Sequence, residues 1–206
     1  DELALEIGMD AVEFRKINCL KTGSTLVTGS KMHATGLPIC IEKTAEAIGW
    51  GKKAHPSAPN KRRGKGLALM WKAPAMPPNA GSSAWVELAE DGTVNVGVGG
   101  QEIGQGVFTV AAQMAAAALG VPYESVRIAT PVDTRYSPYE WQTVASRLTW
   151  SMGNAIVNAA QDAKRQILDT VSQAWDEPIE DLDIINGVVI SYKSEKEIPL
   201  KNLVVY

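Results

Sequence analysis

The sequence predicts an α+β fold: a mixed sheet with helices packed on one face, in two layers, plus a small helical N-terminal portion. Three observations carry this. Beyond residue 66 the order of signals is strand, strand, helix, strand, helix, strand, strand. Hairpin signals alternate with crossover lengths, which suits helices on one face of a sheet rather than a doubly wound parallel sheet. The first 50 residues carry helical signals and a loop, but no strand pattern. With 206 residues, 45% hydrophobic and 21% charged, the chain can bury a sizeable core without staples.

Residues 3–7 form a short helical stretch ended by Gly8. Asp10, with Glu13 three residues on, has capping-box spacing and starts a second helix, whose apolar face is Val12, Ile17 and Leu20. Residues 22–37 are rich in Gly, Ser and Thr and read as a loop. A third helix is expected over 39–48, with Leu37, Ile41, Ala45 and Ile48 on one stripe and Gly49 as its stop. The basic, proline-containing stretch 51–65 is the best internal boundary. It divides a helical part, 1–50, from an α+β part, 66–206.

In the second part, 66–71 reads as a strand and 74–82 as a loop with three prolines. Strands at 83–88 and 93–98 flank Ala89-Glu90-Asp91-Gly92, a hairpin signal. A helix rich in Ala and Met is expected over 105–119, ended by Gly120 and Pro122. A strand at 125–129 and a polar loop at 130–142 precede a long helix at 145–175, with Ala155, Ile156, Ala159, Ala163, Ile167, Val171 and Ala174 on one face. Residues 183–191 read as a hairpin around Asn186-Gly187.

Charge and composition exclude several classes. The net charge of −3 is not that of a nucleic-acid domain, which is usually basic. No run of about 18 apolar residues is present, so no transmembrane helix is expected. Lys52, Lys53, Lys61, Arg62, Arg63, Lys65 and Lys72 lie in a stretch without a single acid. They form either a solvated linker or an anion or partner site. Cys19 and Cys40 make neither a disulfide framework nor a zinc spacing, and are expected as buried free thiols in a reducing compartment. His33 and His55 have no partner in register. The Asp1-Glu2 opening and the apolar Leu203-Val204-Val205-Tyr206 close read as cuts in a larger protein.

Two segments are candidates for chemistry. In 97–106, glycines interrupt the passage from strand to helix. Glycine permits close approach of a ligand to backbone N–H groups, and a helix N-terminus adds free donors and partial positive charge. The segment serves either an anionic, oxygen-rich ligand or a tight packing turn. It matches neither GxGxxG, since residue 102 is Glu, nor the P-loop, since Val107 follows Gly106. Gln101 and Gln105 flank the turn, and their amides suit a ligand with mixed polar edges, such as a pterin. The second segment, 133–147, runs from a polar loop into the long helix. Thr143 or Ser146 could cap that helix. Arg147 in its first turn either meets a bound anion or reaches solvent or a nearby carboxylate. Nothing in the spacing brings any two of Glu102, Asp133 and Glu140 together.

These segments resemble the molybdenum-binding subunit of the xanthine dehydrogenase/aldehyde oxidase family. Gly99-Gly100-Gln101-Glu102-Ile103-Gly104-Gln105-Gly106 is similar to that family's first cofactor loop. Asp133-Thr134, Ser137-Pro138 and Thr143-Val144-Ala145-Ser146 are similar to its later one. Gly8-Met9-Asp10 through Asn18 resembles the family's helix after its first substrate-domain half, with Ala11 where Pro is usual. The resemblance implies that 1–50 ends the first molybdopterin-binding half and that 66–206 begins the second. It implies molybdopterin with molybdenum, as the cytosine dinucleotide in bacterial members. It also implies hydroxylation of a heterocycle carbon or oxidation of an aldehyde, with water as oxygen source. The expected partners are that small-molecule substrate and iron–sulfur and flavin subunits, with no nucleic acid and no membrane, in the cytoplasm. The residues implied to bind cofactor are Gly100, Gln101, Gly104, Gln105, Gly106, Thr143, Ala145, Ser146 and Arg147. The family's catalytic glutamate lies in a segment that these residues do not include. No residue here is assigned a catalytic or metal-ligating role, and the isolated piece is expected to be inactive. The competing expectation is a non-catalytic assembly module whose glycine loop is only a packing turn.

Overall fold

Local stop and start signals fix most element boundaries in the computed structural model, which describes residues 1–72, 77–130 and 133–205. The loops expected over 74–82 and 130–142 lie partly outside the described residues. The chain divides into two compact units, Asp1–Ala73 and Pro74–Tyr206.

The first unit holds α1 (Glu2–Glu6), α2 (Ala11–Asn18) and α3 (Leu37–Ala47). Asp10 caps α2 as expected: its Oδ1 accepts from the Val12 and Glu13 amides at 2.9 and 3.1 Å. The return arm of the box is not made, because Glu13 pairs with Lys16 at 3.0 Å. The α3 stripe holds, with Ile41 fully buried and Leu37, Ala45 and Ile48 half-buried.

Three expectations fail in this unit. Ile17 is exposed, and Val12 is the residue that α2 buries. Neither cysteine is buried: Cys19 caps the end of α2 and is half-buried, and Cys40 lies off the α3 stripe, exposed. Residues 66–71 form no strand, since a strand exists only with a ladder partner, and none pairs with them among the described residues. Residues 51–65 contain turns and irregular backbone.

In the second unit, β1 (Ala84–Leu88) and β2 (Val94–Val98) pair antiparallel, with Val86 opposite Val96. The expected turn closes through Gly92 N–H to Ala89 O at 2.9 Å, and the Asp91 carboxylate accepts from the Thr93 amide at 2.9 Å. α4 (Val107–Leu119) crosses over to β3 (Val126–Ile128), which lies parallel to β2. α5 (Leu148–Trp175) follows. β4 (Leu182–Ile185), β5 (Val188–Ser191) and β6 (Glu197–Pro199) form a second, antiparallel sheet. Asn186 and Gly187 have φ of 50° and 76°, the pair of positive values that a two-residue hairpin turn requires.

The α+β class therefore holds, with the strands divided between two small sheets. Val94, Val96 and Val98 of β2 are buried against α4 and α5. Alternate residues of one strand thus face the helices, the arrangement of a two-layer core. α4 contributes Ala111, Ala115 and Leu119, and α5 contributes Met152, Ile156, Ala160 and Val171. Small residues let the two helices approach closely: a Cβ at Gly153 would come 2.6 Å from the end of Met114. Both helices start later than the sequence suggests, at Val107 rather than 105 and at Leu148 rather than 145. Left-handed backbone lies just upstream in each case, at Gly106 before α4 and at Ala145 and Ser146, one residue removed, before α5. None of the described helices is long and apolar enough to cross a membrane.

Candidate functional site

The glycine-rich loop folds back on itself. The Glu102 carboxylate accepts from the Gly104 and Gly106 amides at 2.8 and 2.9 Å, and from the Phe108 amide at 3.3 Å. Glu102 thereby satisfies donors at the start of α4, where a negative charge is favoured. These bonds, the Gly106 amide first, hold its carboxyl below the usual range against the cost of desolvation. Of the two alternatives for this segment, an anionic ligand or a tight turn, the N-terminus of α4 takes the turn: the chain's own carboxylate already fills it.

The two flanking amides are also spent within the loop. Gln105 Oε1 accepts from the Ile103 amide at 2.7 Å, and its Nε2 donates to Gln101 O at 2.8 Å. Gln101 Nε2 donates to Gly99 O at 3.2 Å. Gly104 and Gly106 have φ of 102° and 78°, which the loop's reversal demands. Gly100 is buried, and a Cβ there would come 2.8 Å from Met152 Sδ. Its role in this arrangement is packing.

The second segment lies against the first. Thr143 Oγ1 accepts from the Gln101 amide at 2.8 Å. A Cβ at Gly99 would come 2.4 Å from Pro138 O, so the two backbones touch only because residue 99 is glycine. Neither Thr143 nor Ser146 caps α5. Arg147 occupies the N-cap position, and its side chain makes no capping hydrogen bond to that end among the described residues. Just before it, Ala145 and Ser146 have φ of 56° and 54°. Two consecutive left-handed residues with side chains are unusual, and such strain persists only where surrounding contacts fix it.

Arg147 takes the nearby-carboxylate alternative. Its guanidinium pairs with Glu140 and donates to Gln142 O at 3.1 Å, Ala80 O at 2.8 Å, Gly81 O at 3.2 Å and Ser82 Oγ at 3.3 Å. It also stacks 5.8 Å from the Trp141 ring centre. With its charge committed inside the protein, this guanidinium is a brace and not an anion clamp. Among the described residues, Glu140 Oε2 and Arg147 Nε are buried without a partner.

The two segments together line a cleft of about 460 Å³. Ile103, Gln105, Val107 and Val110 form one side, and residues 143–149 form the other. Of the residues singled out from the sequence, Gln105, Thr143, Ala145, Ser146 and Arg147 meet here. Gly100, Gln101, Gly104 and Gly106 shape the loop behind it. The apolar wall from Ile103, Val110, Val144 and Leu148 escaped the sequence reading, because isolated aliphatic residues beside a helix start carry no local signal. The N-terminus of α5 opens into this cleft with no acid in its first turn. Among the described residues, the Ala145 and Ser146 amides make no backbone hydrogen bond. Free N–H groups at an uncapped helix start, beside a carboxamide and an apolar wall, suit a ligand with both anionic oxygens and a flat polar ring.

A family model described as a molybdopterin cofactor-binding domain matches residues 43–205. The chain is 32% identical to the xanthine dehydrogenase molybdenum-binding subunit of Escherichia coli O157:H7, over 98% of this chain and 28% of that protein. It is 28% identical to the aldehyde oxidoreductase of Megalodesulfovibrio gigas, over 79% of this chain and 18% of that protein. The fold matches the CO dehydrogenase of Oligotropha carboxidovorans with a TM-score of 0.55 at 20% identity, over 98% of this chain and 28% of that one. The chain thus spans less than a third of the length of each of these proteins.

Proposed function

The chain belongs to the molybdopterin cofactor-binding domain family, and from that premise we propose that its cleft holds part of a molybdopterin within a molybdenum hydroxylase. The observation that carries the reading is the N-terminus of α5, opening into a cleft shared with Gln105 behind two strained residues whose amides make no backbone hydrogen bond among the described residues. The donors present fit such a group. The Ala145 and Ser146 amides, with the first amides of α5, offer N–H groups to anionic oxygens. Gln105 offers a carboxamide to a polar ring edge by exchanging one of its loop bonds. Thr143 and Ser146 add hydroxyls, and Ala145 leaves room for close approach. Gly104 and Gly106 set the backbone path that puts Gln105 at the rim.

Bound there, the group supplies two-electron redox chemistry through its metal. The residues described here bind, orient and exclude water, and none of them is assigned a proton transfer. The whole protein would hydroxylate a heterocycle carbon or oxidise an aldehyde, and would pass electrons to iron–sulfur and flavin partners. The relatives' names support this reading, and the cytosine dinucleotide form is the version proposed.

The test is metal and nucleotide analysis of the longer parent protein purified from its native host. The expected result is stoichiometric molybdenum, with CMP released on acid treatment. A well-folded parent that contains no molybdenum contradicts the reading, and molybdenum without CMP contradicts the dinucleotide form alone.

A further inference from the structure

We infer that Arg147 and Glu140 are positioning residues whose buried ion pair holds the strained Ala145–Ser146 wall in the shape that grips the bound group. This rests on the reading of the cleft given above. The side chains of Arg147 and Glu140 are 4% and 3% exposed, while the residues they support line the cleft. Arg147 follows directly on the two left-handed residues. It ties together three stretches of chain: 80–82 through two carbonyls and a hydroxyl, 140–142 through a carboxylate and a carbonyl, and the start of α5 through its own backbone. Glu140 in turn sits where Gly99 makes its close approach, with a Cβ at residue 99 falling 2.7 Å from Glu140 Cβ. The pair therefore joins the rear of both cleft-lining segments.

Stability alone does not explain it. Replacing a buried ion pair by well-packed apolar side chains of the same volume is often neutral or stabilising, and here one oxygen and one nitrogen of the pair find no partner among the described residues. What the pair adds is a fixed geometry. Strained residues need surroundings that over-determine them, and five acceptors around one planar guanidinium do this.

The experiment compares the longer parent with an Arg147→Met/Glu140→Leu double variant, which leaves no lone buried charge, and with Arg147→Lys. Two quantities are read: amide hydrogen exchange over 147–151 in cofactor-free protein, and the rate at which fluorescent pterin is released from loaded protein. The double variant is expected to keep the wild-type melting temperature within a few degrees. Its exchange at the bonded amides that close this turn, Arg147 to Val144 O and Trp150 and Ser151 to Arg147 O, and its pterin release should each be at least tenfold faster. Arg147→Lys, which cannot reach all of these acceptors at once, should move both in the same direction. If the double variant does not fold, Arg147→Lys decides. Exchange and release within twofold of wild type in either folded variant would overturn the inference. A wild-type parent without pterin would sink the cofactor reading, while the exchange measurement would still decide the role of the pair.

Discussion

Arg147 is 5% exposed and carries its charge among carbonyls and a single carboxylate. Removing one member of such a pair leaves the other charge buried and alone. Arg147→Ala is expected to destabilise the second unit by about 3–5 kcal/mol, measurable as a fall in the denaturant midpoint. Glu177 makes a different kind of claim. Ser191 and Lys196 bond its carboxyl, with distances of 2.5 and 2.9 Å, and hold its pKa down at about 2. A carboxyl depressed on folding adds stability above its unfolded pKa and loses it as pH falls toward the folded value. The latch between the end of α5 and β5 should therefore weaken between the ordinary carboxylate range and about 2. A melting-temperature series against pH checks this: Glu177→Gln should flatten the acid limb, and an unchanged limb would refute the assignment. Glu102 was legible only as a loop carboxylate; the loop closure that it makes depends on the backbone reversal at Gly104 and Gly106. The fate of Arg147 was not legible, because its acceptors at 80–82 and 140 lie far away in sequence.

At the scale of elements, close approach decides which glycines matter. At Gly120 a Cβ would meet Ile184 O at 2.0 Å, and φ is 87°. Both the clash and the left-handed backbone oppose a side chain, so Gly120→Ala should cost about 2 kcal/mol or more. At Gly153 the obstacle is the mobile end of Met114, and Ala gains about 1 kcal/mol of helix propensity. Gly153→Ala should therefore be close to neutral. Paired thermal melts test the contrast, and equal losses would contradict it. Elements whose signals are local were readable: the Asp10 cap, the Asn186-Gly187 hairpin, and the stop of α4 at Gly120. The strand expected at 66–71 was not, because apolar alternation says nothing about whether a partner strand is present. The start of α5 was misread by three residues for a related reason. Nothing about Ala145-Ser146 as residue types announces positive φ, which contacts from other segments impose.

For the whole molecule, the sequence pointed to two segments and the fold brings them to one cleft. The share of each segment in that cleft differs from expectation. The glycine loop spends its carboxylate and its amides on its own closure, and most of its glycines lie behind the wall. The later segment supplies the open helix start and the amides of Ala145 and Ser146, which make no backbone hydrogen bond among the described residues. Burial and hydrogen-bond partners separate these roles, and neither can be read from motif spacing. The central claim is that this cleft holds the cofactor. The most direct measurement is bound pterin and molybdenum in the parent protein with Ala145→Phe, beside wild type. Any L side chain at residue 145 bears the same backbone strain, so the substitution chiefly adds bulk to the cleft. The expected result is full occupancy in wild type and loss of both pterin and molybdenum in the variant, with the melting temperature of the cofactor-free protein unchanged. Full occupancy in a folded Ala145→Phe variant would contradict the account.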